Sequence, residues 1–529
     1  MPARVVPRGR TGQTELGQQE PPSCDPGPAW MRVLPPAVTL VIALWQITGP
    51  SYWRDEAATM TATARPFGQL LRMTRHIDAV HGAYYVIIWA VQRLGGTGEL
   101  VTRLPSALAM AGAAAAVAAL GRRLVSPRAG LVAGLTFAVL PQVSLYAQDA
   151  REYAIVTALA ATASYLLVRA LQAPGRRRGW LAGYAVCLGV MGTVNVLSLL
   201  LVAAHAITVA LACRRPGAGV GASRARSLLL AWLAAVGAAF VLASPVLVWG
   251  YRQRAALSWL TPPNLAVVEG LRKLIGPTSM LLAVALAVGL AIFLNALAGP
   301  AALRASWPPG LLALALPWLV LPPAVLIAVS FADPVYTFRY VLFCVPAAAL
   351  LAGAGLAALS FPPPGRPAAR PAEIPPWVPG WALAWGPAAV CLLLIAALGL
   401  PAQRAARVPG GHGTDIRAAN AIVAARKRPG DAVLYLGTDT KYFPAAYPSG
   451  FARLDDIAQA QTPSQAGNLI GRDVSASVLR QRLARVQRVW VVKLGPYPRH
   501  VLPGQNFRLI RAWRTTDIWL LLFSRRSAG

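Results

Sequence analysis

SYWRDEAAT, residues 51–59, places two adjacent carboxylates, Asp55 and Glu56, directly after an apolar run long enough for a membrane helix. An ionised carboxylate beside hydrocarbon is costly, so such residues are usually paired or functional. Tyr52 and Trp53 are typical of the aromatic belt at a membrane surface, and the acidic pair could simply mark that interface. The stretch therefore indicates where a first membrane helix ends and an external surface begins.

The composition of the 529-residue chain agrees with a membrane protein. It is 56% hydrophobic and 13% charged, whereas a soluble domain averages about 25% charged residues. The net charge of +31 comes mostly from arginines in short connectors between apolar runs. That pattern is a membrane-topology signal and does not indicate a nucleic-acid partner. The five cysteines show neither metal-ligand spacing nor a disulfide framework.

Apolar runs predict about eleven spans of about 20 residues each. They lie near residues 33–50, 100–120, 129–147, 153–171, 179–194, 195–213, 228–249, 279–300, 310–331, 339–359 and 380–401. The arginine-rich connectors should be cytoplasmic, and they lie at residues 121–128, 175–179, 213–226 and 303–307. We predict a disordered cytoplasmic tail over 1–32 and a transmembrane catalytic domain over 33–401.

Residues 81–96 look like a further span but hold only about a dozen apolar residues in a row, which is too short to cross a bilayer. We therefore predict one long external loop over 51–99, with helices lying on the membrane surface. The N-terminus is then cytoplasmic and the C-terminus external. Several arginines, such as Arg54 and Arg254, would stand in external loops, where the positive-inside preference is weaker for long loops.

Residues 402–529 change character and predict a small extracytoplasmic α/β domain. The segment TDIRAANAIVAARKRPGD (414–431) predicts a helix with Thr414 or Asp415 as its N-cap. Segments rich in β-branched and aromatic residues predict strands, the last two forming a hairpin across residues 514–516. These segments are 432–437, 488–494, 507–513 and 517–524.

A second acidic cluster, LYAQDAREYA (145–154), stands at the external end of another span. Asp149 could cap the next helix and pair with Arg151. Two acidic groups at one depth could instead share a site that holds a general base, a divalent cation or both. Asp55, Glu56 and Asp149 are thus the candidate catalytic residues. Asp55 and Asp149 are the candidate ligands if a metal is bound.

Arg339 and Tyr340 open a later span from the external side. They could be a snorkelling arginine and a belt tyrosine. Alternatively, Arg339 could hold a phosphate at headgroup depth, because a guanidinium forms strong charge-assisted bonds to phosphate. A single histidine is more often structural, but His81, with Asp78, could position a substrate. The candidate substrate-binding residues are Arg151, Tyr153, Arg339, Tyr340, His81 and Asp78.

Three segments, in this order and spacing, resemble the GT-C family of integral-membrane glycosyltransferases. They are WRDEAAT, DAVHGAYYVIIWAVQRLGGTGELVTRLPSAL and GRRLVSPRAGLVAGLTFAVLPQVSLYAQDAREYA. The segments are most similar to protein O-mannosyltransferases and lipid A aminoarabinose transferases. The resemblance covers residues 33–171 and extends loosely to about 400, whereas the C-terminal domain matches no module we can name.

The resemblance implies a sugar donor carried on a polyprenyl phosphate and a catalytic aspartate in the first external loop. Asp55 takes the place of that aspartate, Glu56 of its usual neighbour, and Asp149 of the second acidic residue. The chain departs from the family where His81-Gly82-Ala83-Tyr84 replaces His-Pro-Pro-Leu, and where Gln148-Asp149-Ala150-Arg151 replaces Gln-Glu-Ala-Arg. The first change alters the acceptor side of the site, and the second keeps the charge with a shorter reach.

We therefore expect an inverting glycosyltransferase in a bacterial cell membrane, with Asp55 as the general base and Arg339 or Arg151 stabilising the leaving phosphate. The resemblance favours mannose as the sugar, and the acceptor could be a glycan, a lipid or a protein. A divalent cation is possible. A transporter or flippase would carry its charges near mid-membrane, and a non-catalytic envelope scaffold would leave both acidic clusters unexplained.

Overall fold

The structure, a computed structural model, describes residues 28–214, 222–258, 260–264, 267, 269, 270, 272, 310–360, 380–498, 501–502 and 507–526. The predicted span over 279–300 and most of the predicted N-terminal tail lie outside these residues.

The described chain up to residue 406 is helical. Its α-helices are α1 (Trp30–Leu44), α2 (Arg54–Thr63), α3 (Phe67–His76), α4 (Gly82–Gly95), α5 (Glu99–Leu124), α6 (Pro127–Val139), α7 (Pro141–Ala147), α8 (Tyr153–Gln172), α9 (Arg177–Val194), α10 (Leu201–Cys213), α11 (Ala222–Arg252), α12 (Gly310–Ser330), α13 (Val345–Ser360) and α14 (Gly380–Ala406). Short 3₁₀ helices cover Ala79–His81, Pro174–Arg176, Val196–Leu200, Arg254–Leu257 and Phe338–Cys344.

Seven helices in the described part of the chain are long and apolar enough to cross a membrane. Helices α6 and α7 would add an eighth span, bent by 64°. The bend falls at Leu140, whose extended backbone is what the following Pro141 favours. The predicted multi-pass helical fold is confirmed, whereas the number of eleven spans stays a prediction.

Helices α2, α3 and α4 occupy the loop predicted over 51–99. Helix α4 has 14 residues, which corresponds to roughly 21 Å and is too short to span a bilayer. One side of α4 is fully buried at Tyr84, Tyr85 and Ile88. This helix therefore packs onto the protein instead of crossing the membrane alone.

The ends of several spans meet at one arginine-rich side. Leu124 at the end of α5, Arg177 at the start of α9, Cys213 at the end of α10 and Gly310 at the start of α12 line a common groove. The described parts of three arginine-rich connectors, near residues 124, 177 and 224, thus lie at one end of the bundle. At the opposite end, Glu99 of α5 contacts the C-terminal domain, and Asn195, just after α9, lines a cavity together with Asp78 of the first long loop.

The C-terminal domain is a mixed sheet with flanking helices, as the sequence predicts. Helix α15 (Ile416–Arg426) is capped by Asp415, whose carboxylate accepts a hydrogen bond from the backbone of Ala418 at 2.9 Å. The strands are β1 (Ala432–Leu436), β2 (Asp455–Asp456), β3 (Gln459–Gln461), β4 (Arg472–Asp473), β5 (Arg488–Leu494), β6 (Phe507–Thr515) and β7 (Ile518–Arg525). The remaining α-helices are α16 (Phe443–Ala446), α17 (Pro448–Phe451), α18 (Pro463–Ala466) and α19 (Ala476–Arg485).

The five-stranded sheet has the order β2-β1-β5-β7-β6. Strand β1 runs parallel to β2 and β5, and β7 is antiparallel to both β5 and β6. The predicted hairpin is present, with Thr515 paired to Ile518. Its two-residue turn at 516–517 is tighter than the predicted connection at 514–516.

Side chains of the sheet alternate between two cores, as expected for a sheet covered on both faces. Val433 and Trp490 pack on the face that holds α15, while Leu434 and Val491 belong to the cluster with α19. The first core also contains Ala57 of α2, which is completely buried. Helix α2 is therefore shared between the membrane domain and the C-terminal domain.

Candidate active site

Asp55 lies in the first turn of α2, where the helix dipole favours a negative charge. Its Oδ2 accepts a hydrogen bond from Arg339 at 2.9 Å, and its Oδ1 lies 3.4 Å from Nε of Arg54. Arg339 comes from the 3₁₀ segment that opens a transmembrane span, more than 280 positions along the chain. The carboxylate is therefore held between two guanidinium groups from separate parts of the fold.

Asp55 opens onto a cavity of about 820 Å³. All six residues predicted to bind substrate line this same cavity. They are Asp78, His81, Arg151, Tyr153, Arg339 and Tyr340. The ends of several membrane helices and the first loop thus meet in one pocket.

The lining of the cavity suits an anion attached to a lipid. Four arginines face three aspartates in it, which leaves a net positive charge. The charged residues are Arg54, Arg151, Arg254, Arg339, Asp55, Asp78 and Asp439. Val196, Leu197 and Leu247, from membrane helices and their connection, add apolar surface. The cavity therefore places guanidinium groups beside apolar side chains.

His81, Arg151 and Glu152 form a cluster at the cavity wall. Arg151 lies 3.1 Å from Nε2 of His81, and Glu152 lies 3.3 Å from His81 Nδ1 and 3.2 Å from Arg151 Nε. Glu152 is completely buried. Burial alone would raise its pKa, but the charges of Arg151 and His81 lower the pKa to about 2. Glu152 therefore stays ionised and holds both side chains in place.

Asp78 is fixed by contacts on both sides of the cavity. Its carboxylate accepts a hydrogen bond from the hydroxyl of Tyr85 at 2.9 Å. The next residue, Ala79, donates its backbone N–H to Gln253 at 2.8 Å, just beyond the end of α11. The loop that carries Asp78 and His81 is thereby attached to a transmembrane helix.

Glu56 points away from the cavity into a buried ion pair. Arg103 of α5 donates Nε to Oε1 and NH2 to Oε2, both at 2.8 Å, and neither side chain is exposed. The Glu56 oxygens also accept from the backbone N–H groups of Trp53 and Ala150. Arg103 donates further bonds to the carbonyls of residues 47, 50 and 51. The position of Glu56 is that of a structural clamp.

Asp149 lies behind the Asp55 helix and does not line the cavity. Its Oδ1 accepts a hydrogen bond from Nε1 of Trp53 at 2.9 Å, so the two acidic segments do meet. Burial raises its pKa well above the usual value, and the neighbouring charge of Glu56 adds to this. Asp149 thus supports the segment that presents Asp55, without facing the cavity itself.

Among the described residues, three possible metal-ligand groups lie together at Glu56, Asp149 and His412, within 4.8 Å of one another. Both oxygens of Glu56 are already occupied by Arg103 and backbone donors. A cation there would have to break that pair. Asp55, the other predicted ligand, does not belong to this group.

Several cavity residues were not among the predicted site residues. Arg54 and Arg254 break the positive-inside pattern, and that departure was the sequence signal that could have assigned them to the site. Glu152 adjoins the predicted Arg151, but nothing in the sequence marks it as a buried counter-ion. Asp439 and Tyr442 come from the C-terminal domain, for which no sequence signal pointed to the site.

Comparisons with known proteins support the fold. Residues 83–249 match the family model described as dolichyl-phosphate-mannose-protein mannosyltransferase. No curated protein sequence matches the chain. Among solved structures, ArnT from Cupriavidus metallidurans in the apo state is similar, with a TM-score of 0.57 and 17% identity over 93% of this chain and 97% of that one. ArnT bound to undecaprenyl phosphate gives the same TM-score and coverage at 15% identity.

The fold is thus that of the GT-C membrane glycosyltransferases, and the chain is a multi-pass membrane protein. The predicted resemblance and the predicted enzyme class, glycosyltransferase, are both confirmed.

Proposed function

We propose that this protein transfers a sugar, with mannose favoured by the family match, from a polyprenyl phosphate to an acceptor hydroxyl. The cavity carries this proposal, because it combines Asp55, four arginines and apolar helix surfaces in one space. The undecaprenyl phosphate bound to the similar ArnT structure supports a donor of this kind. The isoprenoid chain would lie along Leu197 and Leu247, with its phosphate among the arginines.

The reaction is a single displacement that inverts the sugar. The acceptor oxygen attacks the anomeric carbon while the bond from that carbon to the phosphate oxygen breaks. Asp55 takes the proton of the acceptor hydroxyl. The phosphate leaves with one more negative charge, which Arg339 and Arg151 stabilise. Glu152 keeps Arg151 in position through their 3.2 Å contact.

The contact between Arg339 and Asp55 links donor binding to the availability of Asp55 as a base. NH1 of Arg339 donates a hydrogen bond to Oδ2 of Asp55 at 2.9 Å. A donor phosphate competes for the same guanidinium group, since Arg binds phosphate strongly. As Arg339 turns to the phosphate, Asp55 loses a partner and its Oδ2 becomes available to the acceptor hydroxyl.

The positive-inside rule supports an external active site. The arginine-rich groove that contains Arg177 lies at one end of the spans, whereas α5 begins at Glu99 beside the C-terminal domain. We therefore place the N-terminus in the cytoplasm of a bacterial cell, with the cavity and the C-terminal domain on the external face.

The decisive experiment is transfer from labelled polyprenyl-phosphate sugars, mannose first, by purified protein in proteoliposomes. Asp55→Asn should lower turnover by a factor on the order of 10² or more, as expected for loss of a general base. The variant should insert and melt like the wild type. Near wild-type turnover would remove Asp55 from the mechanism. Lipid translocation without any sugar transfer would favour a flippase, and neither activity would favour a scaffold.

A further inference from the structure

The C-terminal domain forms one wall of the catalytic cavity. Thr438, Asp439, Tyr442 and Leu469 line it together with Asp55. Thr438, Asp439 and Tyr442 follow β1, where Gly437 has a φ of +91° that a residue with a side chain rarely adopts. This turn directs the 3₁₀ helix Asp439–Tyr442 towards α2. The domain therefore supplies side chains to the site.

A chain of charges joins this wall to the proposed base. Asp439 Oδ2 lies 3.4 Å from NH1 of Arg54, and Nε of Arg54 lies 3.4 Å from Asp55. The side chains of Arg54 and Asp439 are 40% and 39% exposed. They remain accessible to a ligand, unlike the buried pair formed by Glu56 and Arg103.

The wall is fixed in place by hydrogen bonds to the membrane domain. Arg417 and Tyr447 of the domain both donate to Glu99, at 2.7 and 2.5 Å. Tyr447 also accepts a hydrogen bond from the backbone of Tyr52 at 3.0 Å. A preformed wall loses little entropy on binding and can orient a ligand accurately.

The chemistry of the wall selects a neutral, hydroxylated ligand. It offers a hydroxyl from Thr438, a carboxylate from Asp439 and the ring and hydroxyl of Tyr442, which suit the polar edge and apolar face of a sugar. Of these wall residues only Asp439 is charged, so the wall itself disfavours an anion, whereas the arginines that suit a phosphate come from the membrane domain. The apolar surfaces that suit a lipid chain lie instead on the membrane helices.

We propose that Thr438, Asp439 and Tyr442 form an acceptor subsite for a neutral saccharide, whose hydroxyl is presented to Asp55. This assignment rests on the proposed function. In it, the C-terminal domain recognises the acceptor. The polyprenyl phosphate then occupies the side of the cavity formed by the membrane helices.

Binding measurements test the subsite without relying on turnover. Full-length protein in lipid nanodiscs, saturated with undecaprenyl phosphate, is titrated with methyl α-mannoside as a probe and followed by saturation-transfer NMR. Asp439→Asn and Thr438→Val should each weaken binding by roughly fivefold to tenfold, the effect of one lost hydrogen bond. Mannose 6-phosphate should bind the wild type more weakly than the neutral glycoside, and Asp439→Lys should reverse that preference.

Asp455→Asn is the matched control, because Asp455 is an exposed aspartate of the same domain outside the cavity. It should bind the glycoside like the wild type. The subsite is refuted if the wild type binds no glycoside, or if the Asp439 and Thr438 variants match this control. Glycoside binding without sugar transfer by the wild type would instead refute the proposed function.

Discussion

NH1 of Arg339 lies 2.9 Å from Oδ2 of Asp55, which joins the opening turn of one membrane span to the first turn of α2. The contact crosses the cavity that the two residues line. It places a cation where a donor phosphate would sit and a carboxylate where an acceptor hydroxyl would approach.

Arg339→Ala should lower kcat/KM for the donor by on the order of 10²-fold or more, because the leaving phosphate loses a charged partner. Arg339→Lys should lose much less, since it keeps the charge without the planar fork. Steady-state transfer assays, with undecaprenyl phosphate affinity measured alongside, provide the comparison. Equal activity of the wild type and both variants would make Arg339 only a membrane anchor.

Glu56→Gln should destabilise the protein by about 3–5 kcal/mol, because it leaves the buried charge of Arg103 without its partner. Thermal unfolding in detergent measures the effect. Asp55→Asn is the useful comparison. Because Asp55 is partly exposed, its replacement should change the melting temperature little. A Glu56→Gln protein that melts like the wild type but has no activity would restore a catalytic role for Glu56.

Asp149→Asn should make the protein more stable at neutral pH. The pKa of Asp149 is raised from 3.8 by burial and by Glu56, so the folded state favours the protonated form. The contribution of Asp149 to stability is therefore greatest at low pH and is lost as the pH rises through the raised pKa. Asn keeps an acceptor for Trp53 without the charge.

Melting temperatures of the wild type and Asp149→Asn at pH 8 and at pH 4.5 test this sign. The advantage of the variant should be largest at pH 8 and should shrink at pH 4.5, while the exposed-site variant Asp455→Asn shows no such trend. A variant less stable than the wild type at pH 8 would contradict the burial argument. Loss of transfer without loss of stability would support the catalytic role predicted for Asp149.

Glu99→Gln should loosen the C-terminal domain from the membrane domain. It weakens the bonds that Arg417 and Tyr447 donate to the carboxylate. Amide hydrogen exchange in α15 and α17 should become roughly tenfold faster, the equivalent of one charge-assisted bond. Asp455→Asn, a change at an exposed aspartate of the same domain, should leave exchange at the interface unchanged. Equal exchange in both variants would show that Glu99 does not dock the domain.

The sequence predicted which segments meet, because the external ends of spans must lie at one membrane surface. Asp55, His81, Arg151 and Arg339 were grouped on that ground, and they share the cavity. Run length was enough to exclude α4 as a span. The arginines that break the positive-inside pattern also indicated cavity residues, since Arg54 lines the cavity as well.

The sequence could not assign separate roles to the two adjacent carboxylates. Asp55 and Glu56 look equivalent in a string of letters, but neighbouring side chains on a helix point about 100° apart. Which one meets Arg103 depends on how α2 packs against α5. That contact is long-range, and Arg103 was hidden within a predicted apolar span.

The role of the C-terminal domain was equally inaccessible to the sequence. Strands and the α15 cap follow from local propensities, which is why they were predicted well. The docking involves a small side chain, Ala57, which is buried in the same core as α15 and the sheet, on a helix that packs against α16 and the 3₁₀ helix Asp439–Tyr442. No periodic pattern marks such a residue.

The burial of Ala57 has a consequence for biogenesis. Helix α2 is made early, yet the surface that covers it is encoded more than 350 residues later, from Ile416 to Leu522. Until the ribosome has finished and this last segment has folded, the helix that bears Asp55 lacks its packing against the C-terminal domain. The enzyme should therefore acquire activity only at the end of synthesis, and a nascent chain held in the membrane should be unable to consume its donor lipid.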